Sequence, residues 1–174
     1  MAVSAAVFLD KDGTLLEDVP YNVDPARVSL AKGAKEALAA FADRRLRVIV
    51  VSNQPGLALG LFSREDLEAL ERHLVDTLEL HGFYYCPHHP HAGCDCRKPS
   101  PGLLLLAARE QGVDLARSWM VGDILDDVEA GRRAGCRTCL IDNGNETEWE
   151  LTELRTPDAV AADLAQAAAR ILGE

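Results

Sequence analysis

Two aspartates two positions apart, Asp10 and Asp12, follow a short apolar run, Ala6–Val7–Phe8–Leu9, and lead into Gly13–Thr14. Carboxylates so placed can share a divalent cation and one reacting centre. One attacks phosphorus to form an aspartyl-phosphate, and the other works as acid and then base. The same residues also make a polar turn, since Asp and Gly are common turn formers, but the apolar strand ahead of them favours the chemical reading. A second run, Leu46–Val51, ends in Ser52–Asn53–Gln54–Pro55–Gly56. A hydroxyl followed by turn amides there can bind phosphoryl oxygens, although an ordinary loop has the same composition. A third run near 117–121 ends in Gly122–Asp123, with Asp127 four residues on. Asp123 is placed to complete a cation site with Asp10 and Asp12, offering the few hard oxygens that Mg²⁺ prefers. Asp126 and Glu129 read as solvated acids favoured by a helix dipole, an alternative that stays open for Asp127.

The five cysteines are odd in number, and three of them, Cys86, Cys94 and Cys96, crowd into eleven positions with His88, His89 and His91. Such clustering fits a metal site in a reducing compartment better than a disulfide framework. Cys86-x-His88-x5-Cys94-x-Cys96 offers three thiolates and one imidazole, a tetrahedral structural zinc set with no open position. Reactive thiols, or a loop that is merely rich in Cys and His, are the competing readings, and His89 or His91 could replace His88. Arg97 and Lys98 directly follow the last thiol, so metal binding there would fix a basic pair able to neutralise phosphate. Cys136 and Cys139, three apart on or entering a strand, would face opposite sides and are expected as packed thiols. Trp119 is expected in the core, and His73 and His81 at the surface.

These residues need a scaffold that gathers strand ends. Ala5–Leu9, Leu46–Val51, Phe83–Cys86, Trp119–Val121 and Thr138–Ile141 read as buried strands. Amphipathic stretches near 33–44, 63–81, 100–112 and 126–135, then an Ala-rich one near 157–172, read as helices. Ser63, followed by Glu65 and Asp66, is a credible N-cap. The alternation predicts an α/β fold, a Rossmann-like parallel sheet with helices on both faces, whose ligands bind at the carboxyl ends of the strands. Met1 to Asp10, apolar but without a basic segment, reads as a first strand and not a signal peptide. Residues 1–174 are expected to form a single domain carrying a zinc loop at 86–98. Gaps of 42, 46 and 25 positions separate Asp10, Ser52, Lys98 and Asp123, too short for a cap domain of typical size.

The chain has 174 residues, 48% apolar and 26% charged, the composition of a core-forming globular protein. Eighteen basic against 28 acidic residues give a net charge of −10, which argues against nucleic-acid and anionic-membrane partners. A small phosphorylated molecule remains compatible if positive charge is concentrated at one spot. No apolar stretch approaches the ~20 residues that span a bilayer. A cytoplasmic monomer is expected.

Asp10-x-Asp12-Gly13-Thr14, Ser52, Lys98 and Gly122–Asp123 resemble, in order, the four motifs of the haloacid-dehalogenase-like phosphohydrolases. The block from Cys86 to Pro99 is similar to the zinc-containing branch of that family, which holds heptose-bisphosphate and histidinol phosphatases. The resemblance implies Asp10 as nucleophile and Mg²⁺ ligand, and Asp12 as general acid/base lending its backbone carbonyl to the metal. It implies Ser52 and Lys98 as holders of the phosphoryl group, Asp123 as a further Mg²⁺ ligand and Asp127 as support. Asn53, Gln54 and Arg97 would bind substrate, and Cys86, His88, Cys94 and Cys96 would bind Zn²⁺. The implied activity is Mg²⁺-dependent phosphomonoester hydrolysis of a small sugar or amino-alcohol phosphate, heptose 1,7-bisphosphate first and histidinol phosphate as the alternative. A zinc-stabilised binding module with a degenerate site is the reading from another class; the intact acidic set argues against it. The heptose enzymes commonly carry Ser, Arg and Lys where this chain has Pro55, Leu59 and Ile124, so two cations are missing.

Overall fold

The computed structural model describes residues 3–173, so Met1, Ala2 and Glu174 of the expected domain lie outside the described residues. Six strands, β1 (Ala6–Leu9), β2 (Arg47–Asn53), β3 (Gly82–Cys86), β4 (Trp119–Gly122), β5 (Arg137–Ile141) and β6 (Ala159–Ala161), form one parallel sheet. Their spatial order is β3-β2-β1-β4-β5-β6. The chain builds outward from β1 to β3, then crosses back and builds the other half from β4. The turning point lies between β1 and β4, where a Rossmann-type sheet opens a crevice at its carboxyl edge.

Each apolar run is buried on both sides, as a sheet covered by helices requires. Val7, Leu9, Val48 and Val50 pack towards α1 (Ala34–Asp43), α2 (Arg64–Leu78) and α5 (Leu164–Leu172). Ala6, Phe8, Ile49 and Val51 pack towards α3 (Gly102–Gln111) and α4 (Leu125–Ala134). The same two-residue period separates Cys139, in the first core, from Cys136, in the second; both are buried and unbridged. Trp119 is buried, with the Arg137 guanidinium 4.2 Å from its ring centre. Ser63 caps α2 reciprocally with Asp66, its Oγ accepting from Asp66 N–H at 3.1 Å.

Two element expectations need correction. The stretch near 157–172 is not one helix: Ala159–Ala161 is strand β6, and α5 starts after its Asp163 cap. Alanine favours helix locally, but pairing of Cys139–Ile141 with Ala159–Ala161 wins. Strand β2 runs two residues beyond Val51, because Ser52 and Asn53 pair with Tyr85 and Cys86. That pairing sets the second phosphate-binding segment directly beside the first cysteine of the metal loop. Among the described residues no helix is long and apolar enough to cross a membrane.

Candidate active site and cysteine cluster

The crevice between β1 and β4 is floored by carboxylates. Asp10 leaves the end of β1, Asp123 the end of β4, and Asp127 sits one turn into α4. One oxygen from each lies within 4.8 Å of the others. Asp127 reaches this position because Gly122 has no side chain; a methyl there would overlap the Asp127 carboxylate. Ile124 N–H donates to Asp127 Oδ2 at 3.3 Å and completes the hold. Asp127, expected as a supporting acid or else a solvated one at a helix start, is buried, with only 1% of its side chain exposed. Asp12 departs in the other direction: its carboxylate accepts from Lys11 Nζ at 2.7 Å and stands outside the acidic trio.

Lys98 supplies the opposing charge. It arrives from the cysteine loop, and its Nζ donates to Asp10 Oδ1 at 2.6 Å, Asp127 Oδ1 at 2.7 Å and Val51 O at 2.9 Å. All three ammonium protons are thus placed. Burial disfavours its charge, but the two carboxylates prevail and hold it protonated far above neutrality. One ammonium cannot balance three acids. Burial, with the charges of Asp10 and Asp127, pushes Asp123 up to about 7. Burial also raises Asp127 against the pull of Lys98. The donor set is all hard oxygen with a deficit of positive charge, which fits a divalent cation such as Mg²⁺. Burial raises Asp12 too, with Lys11 opposing, which favours its protonated, proton-donating form.

This crowding has a pH signature. Asp123 binds its proton more tightly folded than unfolded, so the stability linked to it is complete below its ordinary pKa and is lost as pH rises through about 7. Thermal melts in cation-free buffer should therefore show Asp123 lowering stability between pH 5 and 7.5. The fall should be shallower in Asp123→Asn; an equal slope in both proteins would contradict the reading.

Ser52, at the end of β2, is buried, and its Oγ accepts from Gln54 Nε2 at 2.7 Å. Gln54 is itself buried and turned towards Ser52. Asn53 clasps the peptide of Lys98, donating to its carbonyl at 3.1 Å and accepting from its N–H at 3.0 Å. Both polar ends of that side chain are engaged, so β2 grips the residue that carries the ammonium. Above the floor lies an open pocket of about 380 Å³, a size suited to a small metabolite. Arg97, Ile124, Asp18 and Asn145 are among its walls. Arg97 also lines a neighbouring 210 Å³ pocket beside the cysteine loop, and its buried Nη1 has no hydrogen-bond partner.

The cysteine loop closes on itself. His88 Nδ1 lies 3.4 Å from Cys86 Sγ and 3.2 Å from Cys96 Sγ, and Cys94 Sγ is 3.6 Å from each of the other two thiols. A tetrahedron of sulfurs about 2.3 Å from a central ion has edges of about 3.8 Å, so these four atoms could hold one metal ion. Burial, with crowding by neighbouring thiols, raises Cys86 and Cys96, and a cation at the centre would relieve it. His89 and His91 lie outside the cluster, their rings tilted at 43° with centres 5.4 Å apart.

The segment after β5, to which the sequence assigned no role, also reaches the site. Asn145 Nδ2 donates to Asp123 Oδ2 at 2.7 Å, and Asn143 Nδ2 donates to Gly13 O at 2.8 Å. The signal was available: Asn143–Gly144–Asn145 follows a strand at the carboxyl edge, where ligand residues collect.

The HAD-hydrolase-like family model matches residues 95–167. A D-glycero-beta-D-manno-heptose-1,7-bisphosphate 7-phosphatase of Photorhabdus laumondii is 40% identical over 141 residues, spanning 74% of this chain and 75% of that protein. The Escherichia coli K12 protein of the same name is 36% identical, covering 93% and 92%. Among solved structures, the D,D-heptose 1,7-bisphosphate phosphatase of B. bronchiseptica, complexed with magnesium and phosphate, superposes with a TM-score of 0.81. It is 33% identical and covers 97% of this chain and 98% of its own.

Proposed function

The chain belongs to the haloacid-dehalogenase-like hydrolases and is a phosphatase, and from that premise we propose that its substrate is D-glycero-D-manno-heptose 1,7-bisphosphate. The observation that carries the chemistry is the trio Asp10, Asp123 and Asp127 around Lys98 at the β1–β4 crevice.

An Asp10 oxygen attacks phosphorus in line with the ester oxygen, forming an aspartyl-phosphate as the P–O bond to the sugar breaks. Lys98, bonded to Asp10, neutralises charge gathering at the phosphoryl group, and the Ser52 hydroxyl, whose oxygen already accepts from Gln54, offers its proton to the same group. Asp12 gives its proton to the departing sugar oxygen, then takes one from the water that releases phosphate and restores Asp10. Asp10, Asp123 and the backbone carbonyl of Asp12 would hold Mg²⁺, with Asp127 in support; when bound, the ion adds positive charge against the phosphoryl oxygens. Arg97, with its unpaired Nη1 between two pockets, is suited to a second phosphate.

Cys86, His88, Cys94 and Cys96 form a zinc site in this reading, and its task is to fix Arg97 and Lys98. Purified protein should contain about one zinc equivalent per chain. Stripping it should disorder the loop and lower activity together, followed by metal analysis and phosphate release; full activity with no zinc would contradict the assignment.

Ile124 on the pocket wall, in place of a cation, favours one competing substrate, histidinol phosphate, which carries a single phosphate. Initial rates of phosphate release from both compounds, with and without Mg²⁺, separate the two. The heptose bisphosphate is expected to be the faster. Hydrolysis of histidinol phosphate alone would reverse the order.

A further inference from the structure

The segment 142–158, between β5 and β6, returns over the carboxyl edge of the sheet and is tied down along its length. Asn143 bridges Gly13 O at 2.8 Å and Asn145 N–H at 3.2 Å. Glu146 accepts from Leu125 N–H at 2.6 Å, at the start of α4. Arg155 pairs with Asp126 at 3.0 Å and Glu129 at 2.9 Å. This strap delivers Asn145 to the rim of the acidic crevice, where its amide meets Asp123 Oδ2 at 2.7 Å.

We infer that Asn145 is a positioning residue for the cation site, locking the Asp123 carboxylate so that Oδ1 faces Asp10 and Asp127. The inference rests on the cation reading of that site. Asp123 Oδ1 has only a long contact of 3.4 Å, from Thr14 Oγ1, so it is the oxygen left to a ligand. Only the NH₂ end of Asn145 can meet a carboxylate oxygen favourably. A neutral amide also suits the place: it restrains Asp123 without a positive charge that would compete with the cation. Gly13 makes the meeting possible. At φ 80° it adopts a backbone that side-chain-bearing residues rarely take, and a methyl there would overlap both Asp123 Oδ2 and Asn145 Nδ2. Donors that orient a metal-binding carboxylate typically change metal affinity by about 10- to 100-fold.

The test is binding of Mn²⁺, a hard cation visible by electron paramagnetic resonance, to the zinc-loaded protein. Asn145→Ala should weaken Mn²⁺ binding about 10-fold, with the cation-free melting temperature unchanged. Asn145→Ser, which keeps a short donor, should fall between wild type and Asn145→Ala. Arg155→Ala removes a tether ten positions from Asn145 and leaves in place the Asn143 and Glu146 tethers that flank it, so Mn²⁺ binding should change far less than in Asn145→Ala. No Mn²⁺ uptake by wild type would overturn the cation reading and the inference with it. Normal uptake by wild type with an unchanged constant in Asn145→Ala would overturn the inference alone. So would a shift in Arg155→Ala as large as that in Asn145→Ala.

Discussion

Asp10→Asn should lower phosphate release by at least about 10⁴-fold, the scale of losing an enzymatic nucleophile. The amide is nearly the same shape as the carboxylate but cannot attack phosphorus. The fold should survive. Lys98 keeps its bonds to Asp127 and to Val51 O, and the number of acids facing one another falls from three to two. The cation-free melting temperature of the variant should therefore equal or exceed that of wild type. Activity near the wild-type rate would remove Asp10 from its role, and gross unfolding would show that the charge serves the structure first.

Lys98→Met should damage stability as well as rate. The methionine fills much of the same space, but Asp127 would be buried opposite Asp10 and Asp123 with no positive partner, and Val51 O would lose its donor. Removing one partner of a buried ion pair typically costs about 3–5 kcal/mol. For a chain of this length that lowers the melting temperature by about 10 °C. Turnover should fall by about 10³-fold, as when a preorganised group at the developing charge is lost. The companion variant separates charge from packing: Asp127→Asn added to Lys98→Met should recover much of the stability and none of the activity. Denaturant melts of the single and double variants provide the check; a single variant as stable as wild type would show that the buried ammonium contributes nothing to the fold.

What the sequence disclosed follows from where its signals are local. Asp10, Ser52 and Asp123 each end an apolar run, so a parallel sheet alone brings them to one edge. The ligand spacing of the cysteine loop is likewise short-range, and its four donors do converge. The rest depended on distant partners. Asp127 looks like any acid in a first helical turn; its burial comes from Gly122 and from a lysine 29 positions earlier. Asn53 and Gln54 are expected to bind substrate; Asn53 lines the pocket, and the bonds their amides make to Lys98 and Ser52 are ones no local spacing reveals. Strand β6 is three residues of Ala-Val-Ala, too short for a period to show, and exists through its pairing with β5. Asn145 belongs to a strap whose course is set by tethers up to 130 positions apart.

Asp10 receives the phosphoryl group in this mechanism, and beryllofluoride tests that without requiring the intermediate to accumulate, because it forms a stable phosphoryl mimic on an aspartate oxygen. Fluorine NMR of the protein with beryllofluoride and Mg²⁺ should show bound resonances that require the cation and vanish in Asp10→Asn. Bound resonances that persist unchanged in Asp10→Asn, or none at all in an actively turning-over enzyme, would contradict the assignment.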